Sequence, residues 1–243
     1  AQIGTIENVG GQGCTNVLYG YGKKTFWIVA GPTQIEEFKV PETPLKSLSL
    51  PNTFPTSCAM NAHGDLAVGI YDGPPSIRGG DVVIFKNASG SGTAYATPLD
   101  EEFFDGYDGQ GNLFADGYTG SRSGFALVEL PKGSSVFKAI EMPNTILFPG
   151  SVQWDGTYVT VFDQLANATY RYTIEGTKAT LRGTVQLMGD SDCAQTWLVR
   201  GLLYCGDAGN GTGEVFNYPA GGPPVAVFTG TFDVPLGVVA AKK

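Results

Sequence analysis

The chain alternates short apolar runs with breaks rich in Gly, Asn, Asp and Pro, and nowhere keeps apolar residues at helical spacing for three turns. Runs such as DVVIFKN, FALVEL and TYRYTI place apolar side chains at alternate positions, the periodicity of a strand with an inward face. Breaks such as NAHGD, DGQGN and WDGTY carry the residues that turn a chain. The pattern predicts an all-β protein of many short strands.

The strands recur. One series of turn glycines, Gly22, Gly64, Gly111, Gly156 and Gly201, is spaced by 42, 47, 45 and 45 residues. A second series, Phe38, Phe85, Leu130, Tyr172 and Tyr218, is spaced by 47, 45, 42 and 46. Each unit reads as four strands: one before the glycine (CAMNAHG, GSVQWDG), one after it (GNLFADGYTG, GTYVTVFDQ), one carrying the second marker, and a short outer run such as GTAYATP or PVAVFTG. Four strands in every such period is the spacing of a β-propeller, in which each sheet is one blade packed between its neighbours. The expected organisation is one domain over 1–243, with complete blades at about 11–51, 52–100, 101–143, 144–189 and 190–231, and a partial sixth made by 232–243 with 1–8.

Composition narrows the partners. A net charge of −8, with 15 Lys and Arg against 23 Asp and Glu, argues against nucleic acid, whose binding needs clustered cations. No apolar stretch approaches the roughly 20 residues that span a bilayer, so no membrane span is expected. Four Cys without zinc spacing, beside a single His, point to two disulfides. Cys193 and Cys205 flank a hairpin turn at Arg200-Gly201, while Cys14 and Cys58 hold similar places in successive units. Such bridges imply an oxidising compartment, extracellular or periplasmic.

The segments Asp108-Gly109-Gln110-Gly111-Asn112-Leu113-Phe114 and Asn61-Ala62-His63-Gly64-Asp65-Leu66-Ala67 resemble the D-x-x-G-N-L-F element of NHL and SMP-30-type six-bladed propellers. Over nearly its full length the chain resembles exported bacterial propellers of this kind, with ELPKGSS, GSVQWDGTYV and YPAGG in corresponding places. The resemblance implies that an N-terminal segment completes the last blade and closes the ring. In this chain FDVPLGVVAAKK (232–243) matches a first strand and QIGTIE (2–7) an outer one, leaving the middle pair unsupplied. Residues upstream of Ala1, five blades closing alone, strands from a second copy, or a shifted repeat register would each account for this.

Candidate chemistry is sparse. His63, in the turn NAHGD, is a poor general base for a triad. Asp72, Asp116, Asp163 and Asp207 recur near the ends of second strands, where binding backbone N–H groups in their own turns explains them better than calcium. Asn16, Asn61, Asp105, Asp108, Gln153 and Gln195 break the repeat and form a candidate axial polar site. In SMP-30-like lactonases such residues hold a divalent ion, and Ca2+ is the ion that hard oxygen donors of this kind would take, although the Glu those enzymes draw from their first blade has no counterpart. Trp27, Tyr107, Trp154 and Trp197 form a candidate stacking platform, with core packing the more economical explanation. Asn87, Asn167 and Asn210 head glycan-acceptor tripeptides and are expected to be mostly plain turn residues. The sequence thus favours a non-enzymatic exported binding or structural module without a cofactor. It would take a small molecule or glycan, or a second copy at the open blade. The alternative is a divalent-metal lactonase-type hydrolase, and a carbohydrate or peptide receptor would show a concave aromatic patch on one propeller face.

Overall fold

The computed structural model describes residues 13–14, 25–29, 34–39, 43–120, 122, 124–189, 192–230 and 235–239, with side chains from residue 46 onward. The first sheet consists of β1 (Gly13–Cys14), β2 (Thr25–Val29), β3 (Gln34–Lys39) and β4 (Thr43–Ser49). The second holds β5 (Phe54–Met60), β6 (Leu66–Asp72), β7 (Val82–Phe85) and β8 (Thr93–Tyr95). Strands β9 (Glu101–Tyr107), β10 (Leu113–Thr119), β11 (Gly124–Leu130) and β12 (Lys138–Ile140) make the third. The fourth has β13 (Pro149–Trp154), β14 (Val159–Asp163), β15 (Ala168–Glu175) and β16 (Lys178–Gln186). The fifth has β17 (Cys193–Val199), β18 (Leu202–Asp207), β19 (Thr212–Asn217) and β20 (Ala226–Thr229). Within each sheet the strands pair antiparallel in chain order, and the first strands of successive sheets touch, so the fold is an all-β propeller.

In the second to fifth sheets burial is lowest at the outer strand, which is what the sequence pattern encodes. The first five residues of β6 and β10, and all of β14, are buried, because these second strands are covered on both faces by neighbouring sheets. Their runs, LAVGI, LFADG and VTVFD, are accordingly almost continuously apolar or small. Outer strands such as β8 and β20 hold no fully buried residue. Between the third and fourth sheets lie Phe104, Phe114, Leu127, Val152, Val161 and Tyr172, and between the fourth and fifth Phe162, Leu203 and Phe216.

The turn glycines identified from spacing have the backbone that requires them: φ is 89° at Gly64, 91° at Gly111, 99° at Gly156 and 73° at Gly201. Side chains bridge the sheets. Gln153 of β13 donates through Nε2 to the carbonyl of Thr196 (2.6 Å) and accepts at Oε1 from the N–H of Leu198 (2.7 Å), clamping β17. The N–H of Thr196 also donates to Ser151 Oγ at 2.7 Å. Asp155, after β13, accepts from Arg171 Nε (2.8 Å) and from the Tyr218 hydroxyl of the fifth sheet (2.7 Å).

Cys193 and Cys205 form a disulfide across β17 and β18, with Cα atoms 5.6 Å apart. Cys58 is also disulfide-bonded, while the side chain of Cys14, its expected partner, lies outside the described residues. Of the expected sixth blade, 1–8, 232–234 and 240–243 lie outside the described residues. Residues 235–239 form no regular strand. They do lie beside the fifth sheet: the N–H of Val238 donates to Gln195 Oε1 at 3.1 Å, a side-chain bond in place of a ladder.

Candidate functional site

At the end of the third sheet where β9 begins and β10 finishes, aromatic side chains from two sheets and from the segment entering a third converge on a cavity of about 480 Å3. Tyr71 comes from β6, Phe103 from β9, Tyr118 from β10, Phe125 from β11, and Ile146 and Phe148 from the segment entering β13. Phe103, Tyr118 and Phe148 are mutually perpendicular: centroids lie 5.4, 5.8 and 6.2 Å apart with interplanar angles of 82°, 81° and 82°. Tyr71 stands edge-on to Phe103 at 5.6 Å, and the half-exposed Phe54 extends the array at 6.0 Å from Tyr71. Edge-to-face pairs of this kind add about 0.5–1.5 kcal/mol each beyond burial.

A local irregularity aims the central ring. In the β9–β10 pairing Asp116 faces Phe104 and Gly117 faces Glu102, so Phe103 is the unpaired residue of a bulge. A Cβ at Gly117 would lie 1.9 Å from the Glu101 carbonyl, so a glycine is needed for the strands to close over it. The wall opposite is held by Asp163, whose buried carboxylate accepts the N–H groups of Leu147 (2.7 Å) and Phe148 (3.2 Å), and those of Leu165 and Ala166. At the mouth, on the β10–β11 hairpin, Arg122 donates through Nε to Glu101 Oε2 (2.7 Å) and through Nη2 to the Tyr71 hydroxyl. The bond to Glu101 holds its pKa above the ordinary guanidinium value, and burial raises that of Tyr118.

Deeper in the same sheet lies a second polar feature, the three buried carboxyl groups of Glu102, Asp105 and Asp116. Glu102 accepts from Ser57 Oγ and Thr56 Oγ1 of β5, each at 2.9 Å, and fits against Gly69, where a Cβ would lie 1.7 Å from its carboxylate. Asp116 accepts the N–H of Phe104 at 3.1 Å, whereas neither oxygen of Asp105 has a partner among the described residues. Burial, and then neighbouring carboxylates, drive Glu102 and Asp116 well above the carboxylate range, and burial takes Asp105 to about 8. Among the described residues no Lys or Arg is ion-paired with any of them.

The described candidate axial residues each make contacts of their own. Asn61 and Asp108 close their own turns. Asn61 Oδ1 accepts from the N–H groups of His63 and Asp65, and Asp108 Oδ1 accepts from those of Gln110 and Asn112. Gln153 and Gln195 bind backbone of the next segment, Asp105 joins the buried carboxyl cluster, and Asn16 lies outside the described residues. Among the described residues no three acidic, His or Cys side chains are placed to hold a metal. The recurring Asp residues do bind backbone, as at Asp72 with Gly73 and at Asp207 with Asp192 and Asn210.

The aromatics singled out from sequence are packing residues where they are described. Trp154 packs against the core between the third and fourth sheets, Tyr107 packs between the second and third, and Trp197 is buried in a cluster with Cys58 and Leu66. The side chain of Trp27 lies outside the described residues. The pocket uses the other ends of the strands. One signal for it is present in the sequence: Phe103 and Phe104 are adjacent in a strand that should alternate, which is how a bulge reads in sequence. Of the three sequon residues, Asn87 is exposed on a turn with φ 50°, Asn210 donates to Asp207, and Asn167 sits where the sequon's Thr169 is buried in β15.

No family model and no curated protein matches the chain. Solved structures show what the fold is similar to. Regucalcin from Agrobacterium tumefaciens, described as a calcium-binding protein, matches with a TM-score of 0.64 and 13% identity over 92% of this chain and 75% of that one. A catalytically inactive virginiamycin B lyase from Staphylococcus aureus, solved with quinupristin, matches with a TM-score of 0.55 and 13% identity over 96% and 87%. At that identity the likeness establishes the propeller fold alone.

Proposed function

We propose that this chain is an exported, non-enzymatic propeller that binds a small planar ligand in the aromatic pocket at the start of β9. One observation carries the reading: perpendicular rings from two sheets and from the segment entering a third line a cavity of about 480 Å3, within the size range of small-molecule sites. The disulfide between Cys193 and Cys205 supports an oxidising location. The same reading counts five complete blades, with residues 235–239 running where the inner strand of a sixth would lie, in keeping with the bond from Val238 to Gln195.

The test is to titrate planar aromatic fragments while following ring resonances by NMR. Shifts are expected at Tyr71, Phe103, Tyr118 and Phe148 and not at Tyr107 or Trp154, which lie at the opposite ends of their strands. Shifts confined to that opposite end, or chemical turnover of a fragment, would overturn the reading.

A further inference from the structure

The position of Arg122 carries the binding reading one step further and rests on it. Its guanidinium is fixed at two points, by Glu101 on Nε and by Tyr71 on Nη2, and lies 5.9 Å from the centre of the Tyr71 ring. Its backbone adopts φ 67°, a conformation few non-glycine residues take, so the side chain leaves the hairpin in a set direction. Among the described residues Nη1 has no partner, and the exposed side chain lines a cavity whose lining is otherwise mostly apolar.

Charge decides the orientation of what could enter. The interior offers aromatic rings together with Ile146 and Leu147 and no donor for an anion, so a carboxylate placed deep inside would lose its hydration there without replacement. Behind the wall, Asp163 is already satisfied by backbone N–H groups. The one fixed charge with free donors among the residues lining the cavity is the cation at the rim. It attracts an anion and repels an ammonium group, and guanidinium suits a carboxylate better than it suits a neutral acceptor.

We propose that the ligand is a planar aromatic carboxylate, bound with its ring in the cavity against Phe103, Tyr118 and Phe148 and its carboxylate at the mouth on Nη1 of Arg122. The ring supplies the buried area and the carboxylate supplies the direction. Glu101 and Tyr71 are positioning residues, holding the guanidinium over the opening.

The experiment compares phenylacetate, phenylacetamide and phenylethylammonium on the whole protein by ligand-observed NMR titration. The expected order is phenylacetate tightest, by about tenfold over the amide, with the ammonium weakest. Arg122→Gln, at an exposed hairpin position, removes the advantage of the carboxylate and leaves the amide unchanged. Glu101→Gln, which keeps an acceptor for Nε but removes the competing anion, tightens phenylacetate. Phe103→Leu weakens all of the probes and keeps their order. Equal binding of carboxylate and amide to the unaltered protein, a preference for the ammonium, or a preference that survives Arg122→Gln would each overturn the anion assignment while leaving the pocket standing. If none of the probes binds, the pocket reading itself falls.

Discussion

Single residues in this protein act mainly by what they leave room for. Gly69 has an ordinary strand backbone, yet its missing side chain is where the carboxyl of Glu102 sits, 1.7 Å from a would-be Cβ. Gly69→Ala must therefore eject a buried carboxyl from its bonds with Ser57 and Thr56, and is expected to cost about 1–3 kcal/mol. Chemical denaturation measures this, and adding Glu102→Ala should recover part of the loss. An undiminished loss in the double variant would place the strain elsewhere. Asp163 is the complementary case, in which one side chain replaces a ladder for Leu147 and Phe148. Asp163→Ala leaves those N–H groups unpaired, with an expected cost of about 1–3 kcal/mol. Because the same groups hold one wall of the pocket, it should also weaken aromatic ligands. A fall in stability with no fall in affinity would show that the wall does not depend on this carboxylate.

At the scale of elements, the third sheet carries both candidate features because β9 is irregular. Its bulge turns Phe103 toward the pocket and leaves Glu102 and Asp105 in the interior facing the second sheet. The turn glycines and strand markers were legible because they repeat, and repetition reveals what every blade shares. The pocket was not, because it depends on what one blade does differently and on the segment 145–148, which belongs to no strand. The sequence pattern placed Asp105 among polar inner-strand residues correctly, but not its isolation, since burial by a neighbouring sheet leaves no local trace. That isolation has a consequence for pH. The folded-state pKa of Asp105 is raised from 3.8 to about 8, so between those values the folded protein holds more protons than the unfolded chain. The contribution of this group is fully present below its unfolded value and is lost as pH rises toward about 8, and Glu102 and Asp116 act in the same direction. Urea midpoints should fall from mildly acidic to mildly alkaline pH, and Asp105→Asn should flatten that slope. A slope of opposite sign, or one unchanged by Asp105→Asn, would show that the cluster is ionised or solvated.

Over the whole molecule the sheets cannot be independent, because the second strands β6, β10 and β14 are buried on both faces and expose apolar surface if a neighbour leaves. Apolar contact is non-directional, however, and would tolerate sliding of one sheet over the next. The polar clamps supply direction. Gln153 fixes β17 against β13 through a donor and an acceptor, Ser151 adds a bond to Thr196, and Asp155 reaches Tyr218, just past the end of β19 in the fifth sheet. The disulfide of Cys193 and Cys205 binds β17 only to its own sheet, so it cannot substitute for these contacts. Gln153→Ala leaves the carbonyl of Thr196 and the N–H of Leu198 without this side chain, which should cost about 1–3 kcal/mol. The loss should be local, because the apolar interfaces among the earlier sheets are untouched. Hydrogen exchange reads this directly. In the unaltered protein the slowest amides of β10, β14 and β18 should exchange together through global opening, whereas in Gln153→Ala those of β17 and β18 should exchange ahead of β10. Equal acceleration in all of these strands would mean that the ring opens as one unit and that the clamp adds stability without setting where the opening begins.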